Sequence, residues 1–227
     1  MDITAPSQIV PKLGLTEQCR RYGVGNVMMK TAVNLLGRLF EFEICRIGHS
    51  NLDELPQPAD LPQGYRVAFV SKEEFAQHLK PGLPNDHDWK FERGDVCIAV
   101  FHHNEIVGWN FQATQPTRVK EGLEFYYPSG YGYSYASFVC NDHRGKRLAS
   151  ACYFLPRLFT ATLGLPPRAA MWYVNVANLA SRMSDRGSED TSILIGYAGY
   201  AKLFGRYWCF SGPACRKMGT GFRVSKG

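Results

Sequence analysis

The fold is decided by Phe138-Val139-Cys140-Asn141-Asp142-His143-Arg144-Gly145-Lys146-Arg147-Leu148-Ala149-Ser150. The apolar run from Tyr133 to Cys140 predicts a strand, and the periodicity from about Lys146 to Leu163 predicts a helix that Pro156 interrupts. Between them lies a turn rich in cations. A strand that enters a helix through such a turn leaves the first N–H groups of the helix unpaired, at the positive end of its dipole. An anion placed there gains several hydrogen bonds together. Gly145 permits close approach, and the small Ala149 and Ser150 keep the first turn uncrowded. The arrangement suits a pyrophosphate. It is neither a Walker A loop nor a Gly-x-Gly-x-x-Gly turn, because the glycines those patterns require are missing.

Working outward, Ala169 to Val176 reads as a strand, Asn178 to Asp185 as a short helix, and Ser192 to Ala201 with Phe204 to Ser211 as a terminal hairpin. Upstream, Tyr65 to Val70 is a strand, and Ser71 with Glu74 forms a capping box for a helix running toward Lys80. Two apolar strands, Asp95 to Phe101 and Glu105 to Gln112, flank the turn His102-His103-Asn104. A polar, aromatic connection follows with Glu121, Glu124, Tyr126, Tyr127 and Tyr131. This order predicts an α/β class, a mixed twisted sheet flanked by helices. Before it, Val24 to Phe40 carries apolar residues at spacings of three and four, and Pro56, Pro58 and Pro62 mark a connection. Three segments result: an N-terminal helical accessory arm over 1–63, a core over 64–212 and a basic tail over 213–227. The arm's apolar face is expected to dock on the core, or on a second copy in a homodimer.

The chain has 227 residues with 45% hydrophobic and 20% charged side chains, which excludes a disordered tail protein and a coiled coil. Its net charge of +6 resides in the end segment. From Thr191 onward stand Lys202, Arg206, Arg216, Lys217, Arg223 and Lys226 with no acid. A solvated tail and an anion site both account for this. Aromatic residues between these cations could stack bases, yet Tyr207, Trp208 and Phe210 fall where strand residues belong, so a nucleic-acid partner is disfavoured. The seven cysteines are scattered without a Cys-x-x-Cys pair, and His102-His103 lacks nearby ligands, so no metal is expected. The cysteines sit in apolar runs, and no leader or spanning run is visible. A cytoplasmic protein without a membrane span is expected.

Val139 through Ala149 resembles the acetyl-coenzyme A signature of the GNAT superfamily of N-acetyltransferases, a strand followed by Arg/Gln-x-x-Gly-x-Gly/Ala. Arg144 and Ala149 match its ends, and Arg147 stands at the usual central glycine. Trp172 to Ser181 resembles the family's next strand and helix, with Asn178 four residues after Val174 and Ser181 three further on. A tyrosine is usual seven residues after that asparagine. Here Asp185 takes its place.

The resemblance implies a GNAT-like acyltransferase fold and direct transfer of an acyl group from acetyl-CoA or another acyl-CoA to an amine of a small molecule or modified polymer. No metal takes part. It implies a cofactor site of Phe138, Val139, Cys140, Arg144, Gly145, Lys146, Arg147, Leu148, Ala149, Ser150, Asn178 and Ser181. The backbone at Val139 and Cys140 would meet the thioester, the loop cations the phosphates, and Asn178 and Ser181 the pantetheine or leaving thiol. Catalytic candidates are Glu124 as general base, with Glu121, Asp86, Asp88, His87 and His143 as rivals, and Tyr135 and Asp185. Glu124 is equally readable as a surface acid, and Cys140 as a buried packing cysteine rather than a nucleophile. The altered glycine and missing tyrosine keep a second reading open, a non-catalytic protein that binds acyl-CoA.

Overall fold

The computed structural model describes residues 14–50, 61–149, 151–152, 170–178 and 192–225. The expected interruption at Pro156, and Ser150, Ser181 and Asp185, lie outside these. The chain divides into two compact units. One comprises Met1–Gly48, Pro116–Pro128 and Tyr173–Gly227, the other His49–Gln115 and Ser129–Trp172.

In the second unit, β2 (Tyr65–Val70), β3 (Val96–His102), β4 (Glu105–Ala113) and β7 (Gly132–Val139) pair antiparallel in that order, and β7 pairs in parallel with the start of β8 (Ala170–Asn175). Strand β3 is buried on both faces, which explains why Cys97-Ile98-Ala99-Val100-Phe101 is apolar throughout instead of alternating. Cys97, Ala99 and Phe101 pack with Phe75, Trp109 and Phe111. Ile98 and Val100 pack with Val107, Leu148 and Cys152 on the opposite face. Leu148 and Cys152, one helical turn apart, therefore seat the helix that follows the cationic turn. That helix begins at Leu148 rather than near Lys146. Helix α3 (Lys72–His78) has the expected capping box, with the Ser71 hydroxyl accepting from the Glu74 N–H and the Glu74 carboxylate from the Ser71 N–H. A five-residue helix, α4 (Asp88–Glu92), was not expected.

The first unit departs further from the sequence reading. Its N-terminal part holds α1 (Leu15–Tyr22) and α2 (Val24–Leu39), and then a ten-residue strand, β1 (Glu41–Ser50). The order in this unit is β10-β9-β1-β8, with β9 (Ser192–Leu203) and β10 (Arg206–Ser211) forming the expected hairpin. Residues before 63 thus supply an interior strand as well as helices. Val27 and Val33 of α2 are buried, whereas Met28 is 67% and Leu39 73% exposed, so the expected docked face is covered only in part. The Gln112 to Tyr131 connection contains two more strands, β5 (Thr117–Lys120) and β6 (Leu123–Tyr126). At the other end, residues 213–224 form α5 (Pro213–Met218) and β11 (Gly221–Val224) in place of a basic tail. Cys215, Thr220 and Phe222 are buried, and β11-β6-β5 make a small sheet. Phe222 packs against Phe125 and Tyr200, and this apolar anchor outweighs the solvation of Arg216 and Lys217 nearby in sequence.

Candidate cofactor site

The second unit presents the candidate site at the end of β7. The parallel ladder between β7 and β8 covers only Gly132 with Ala170 and Tyr133 with Met171. Beyond Tyr133, among the described residues, the ladder partner of β7 is β4. That pairing contains a bulge, with Ala136 and Ser137 opposite Asn110 and Ala136 at a φ of 51°. Gly108 is required beside it, because a Cβ there would lie 2.7 Å from the Phe138 carbonyl oxygen.

A 3-10 turn, Asn141–His143, leads into the loop. Gly145 has a φ of 78°, and a Cβ built there would meet nothing within 4 Å, so the loop is open on that side. Arg147 has a φ of 57°, in the left-handed region that glycine favours. The residue that replaces the usual central glycine of the resembled signature therefore keeps a glycine's backbone conformation. The Arg144 N–H donates to the Asn141 carbonyl at 3.2 Å and the Ala151 N–H to that of Arg147 at 3.4 Å. Between them, the N–H groups from Gly145 to Ala149 have no acceptor among the described residues. Leu148 is buried, while Arg144, Gly145, Lys146, Arg147 and Ala149 are exposed. This row of donors at a helix start, with three exposed cations, fits a diphosphate.

The other assigned residues are placed as follows. Phe138 stacks on Trp109 at 4.5 Å between ring centroids. The Cys140 N–H donates to the Val107 carbonyl at 2.8 Å, and the Val139 carbonyl accepts from Arg144 Nε at 3.0 Å. The backbone expected to meet a thioester is engaged at these two atoms, because β4 and the loop arginine reach it first. Burial pushes the Cys140 thiol up, which removes it further from nucleophile duty. Asn178 donates its N–H to the Asn175 carbonyl at 2.8 Å and is exposed.

Tyr135 is half-buried beside Arg93 and the buried Asp95. Its hydroxyl donates to the Asp95 carboxylate and accepts from Arg93 Nη2 at 3.1 Å, while Arg93 Nε bonds both Asp95 oxygens at 3.1 Å. Burial and then Asp95 hold the Tyr135 phenol far above its ordinary range, so its proton is committed to Asp95. In the first unit, Glu124 on β6 is bound by Arg223 Nε at 2.5 Å across the β6–β11 pair. That ion pair joins two strands, and a base at Glu124 would first have to leave it. Of the rival bases, His87 is buried with Lys90 Nζ 2.6 Å from its Nδ1, and no partner at Nε2 among the described residues.

Two clusters escaped the sequence reading. At the bulge, buried Asn110 accepts from Ser134 Oγ at 3.0 Å and donates to Ser137, and Gln112 Nε2 donates to Ser134 Oγ at 2.9 Å. The polar Asn110 and Gln112 alternating within an otherwise apolar strand were the available signal. On β1, Glu43 accepts from Asn175 Nδ2 at 2.9 Å and from the Tyr200 hydroxyl. That signal required knowing that 41–50 is a strand. Among the described residues no group of three or more His, Cys, Asp or Glu is arranged for a metal, and no helix is long and apolar enough to cross a membrane.

No family model matches the chain, and no curated protein matches it. Solved structures do. A Drosophila protein of structural-genomics origin is 12% identical with a TM-score of 0.50, covering 83% of this chain and 58% of its own. A GNAT-family acetyltransferase from Colwellia psychrerythraea is 11% identical at a TM-score of 0.45, over 70% and 56% of the two chains. A GCN5-related N-acetyltransferase from Kribbella flavida is 12% identical at 0.40, over 67% and 54%. GNAT acetyltransferases are thus among its structural neighbours, and the chain spans little more than half the length of each of these three. At 12% identity and a TM-score of 0.50, the likeness to the Drosophila protein is one of fold.

Proposed function

We propose that the chain is an acyl-CoA dependent N-acyltransferase acting on an amine. The observation that carries this reading is the row of N–H groups from Gly145 to Ala149, without a backbone acceptor among the described residues and set among exposed cations directly after β7. An acyl-CoA brings a thioester carbonyl already activated for attack. The chain's part is to hold the phosphates at the loop, fixing the acyl carbon where an amine can reach it, and to provide donors for the developing oxyanion. The amine nitrogen bonds to the acyl carbon, the carbon–sulfur bond breaks, and the thiolate leaves. The proton lost by the amine needs an acceptor. Glu124 and Tyr135 remain candidates to be tested by Glu124→Gln and Tyr135→Phe, with their present bonds to Arg223 and Asp95 as the physical objection to each.

A second reading, tight binding of acyl-CoA without turnover, is favoured by Arg147 and Asp185 at positions where the resembled pattern has glycine and tyrosine. Thiol release from acetyl-CoA across a panel of amines separates them. Release with at least one amine supports catalysis. Micromolar binding without release supports the second reading, and no binding of any acyl-CoA defeats both.

A further inference from the structure

Beside the loop lies a group of side chains of which the cofactor reading uses only Lys146. Lys146 does not reach outward over the loop; its Nζ donates to the Tyr65 hydroxyl oxygen at 2.6 Å and lies 4.9 Å from the Tyr65 ring centroid. The same oxygen is 2.7 Å from Nδ1 of buried His143. An ammonium only donates, so the one hydroxyl proton of Tyr65 is free to serve His143, whose Nδ1 accepts it as a neutral ring. The relay runs in one direction, from Lys146 to Tyr65 to His143. The His102 ring stands 4.9 Å from that of His143 and 4.6 Å from that of Tyr65.

We propose that Tyr65, His143 and Lys146 form a subsite for a phosphoryl group, which fills when His143 takes up a proton and Lys146 leaves Tyr65. Protonated at Nδ1, His143 donates to Tyr65 instead of accepting, and two cations then converge on one oxygen. Lys146 is driven off and turns to the phosphate, while the freed Tyr65 proton points to the same anion. One proton enters from solvent, and no covalent bond changes. The groups facing His143 set the threshold. His102 at the end of β3, Lys146 in the loop and Lys80 after α3 oppose its charge, and Asp142 in its own turn favours it. Burial and then these cations hold its proton affinity below that of an ordinary imidazole, and an anion beside it opposes them. His103 and Glu105 act on His102 with opposite sign.

The carrier of the phosphate rests on the proposed function, so coenzyme A and inorganic pyrophosphate are used as separate probes. Calorimetric titration of each into wild type and His143→Gln is run from pH 7.5 to 5.5. The nitrogen shifts of the His143 ring are followed by NMR in the wild type, which needs no variant to fold. Wild-type affinity is expected to rise by about three- to ten-fold per pH unit over part of this range relative to the variant, in which any titration of the probe itself is shared. Saturation at pH 6.5 is expected to protonate His143. If coenzyme A binds with the same pH profile in both proteins and His143 stays neutral at saturation, the subsite is overturned and the cofactor reading stands. If pyrophosphate protonates His143 while coenzyme A fails to bind, the subsite stands and the cofactor reading falls. A protein that responds to neither probe overturns both.

Discussion

Arg147 shows how far single residues can be read. Its deviation from the resembled signature was visible in the sequence, but its φ of 57° was not, because a backbone angle is set by the turn from Asn141 to Leu148 rather than by residue type. An arginine held there carries local strain. Arg147→Gly is expected to raise stability by about 0.5–1 kcal/mol, reduced by the greater freedom of glycine in the unfolded chain, and to weaken coenzyme A binding through the lost cation. Opposite movements of the unfolding midpoint and of the calorimetric affinity would check this. Gly145→Val is expected to lose both, since valine resists a φ of 78° and would fill the open side of the loop. A valine variant that binds coenzyme A like the parent would remove the loop from the site. Lys146 was legible as a cation and illegible as a partner of Tyr65, because nothing in the sequence brings those two residues together.

Elements with a local signature were legible to within a residue or two: the capping box of α3, the period of α2, and the strands on either side of His102-His103-Asn104. Those defined by distant partners were not. β1 was read as part of a helical arm because Phe42-Glu43-Ile44-Cys45-Arg46-Ile47 is short and follows a strong helix, and its burial depends on β8 and β9, far along the chain. β11 was hidden for the same reason, since Phe222 finds its aromatic neighbours only after folding. Two consequences are testable at this scale. A Cβ on Gly199 would lie 2.2 Å from the Glu43 carbonyl oxygen, so Gly199→Ala is expected to force β9 away from β1 and cost roughly 1–3 kcal/mol in urea unfolding. A chain beginning at Leu61 lacks an interior strand and is expected to lose cooperative unfolding, whereas a detachable arm would leave it intact.

The molecule as a whole should answer to acid through His87 and Lys90. Burial, and then the charge of Lys90, lower His87 from 6.5 to about 4. The unfolded chain binds more protons than the folded one between those values. The stability that neutral His87 provides is therefore complete above pH 6.5 and lost as the pH falls toward 4, by on the order of 3 kcal/mol. Burial likewise lowers Lys90 from 10.5 to about 8, so its contribution is present above 10.5 and declines as the pH drops through that interval. Urea unfolding at pH 4.5 and 7 is expected to show the acid loss, and equal stability at the two would contradict it. The place of β1 also has a temporal side. Its neighbours β8 and β9 begin only at Ala170 and Ser192, so after synthesis the strand must wait, edges open, while the intervening residues are made. Translation speed between β1 and β9 then becomes a determinant of yield, and a chain stalled before Ser192 should be a substrate for chaperones.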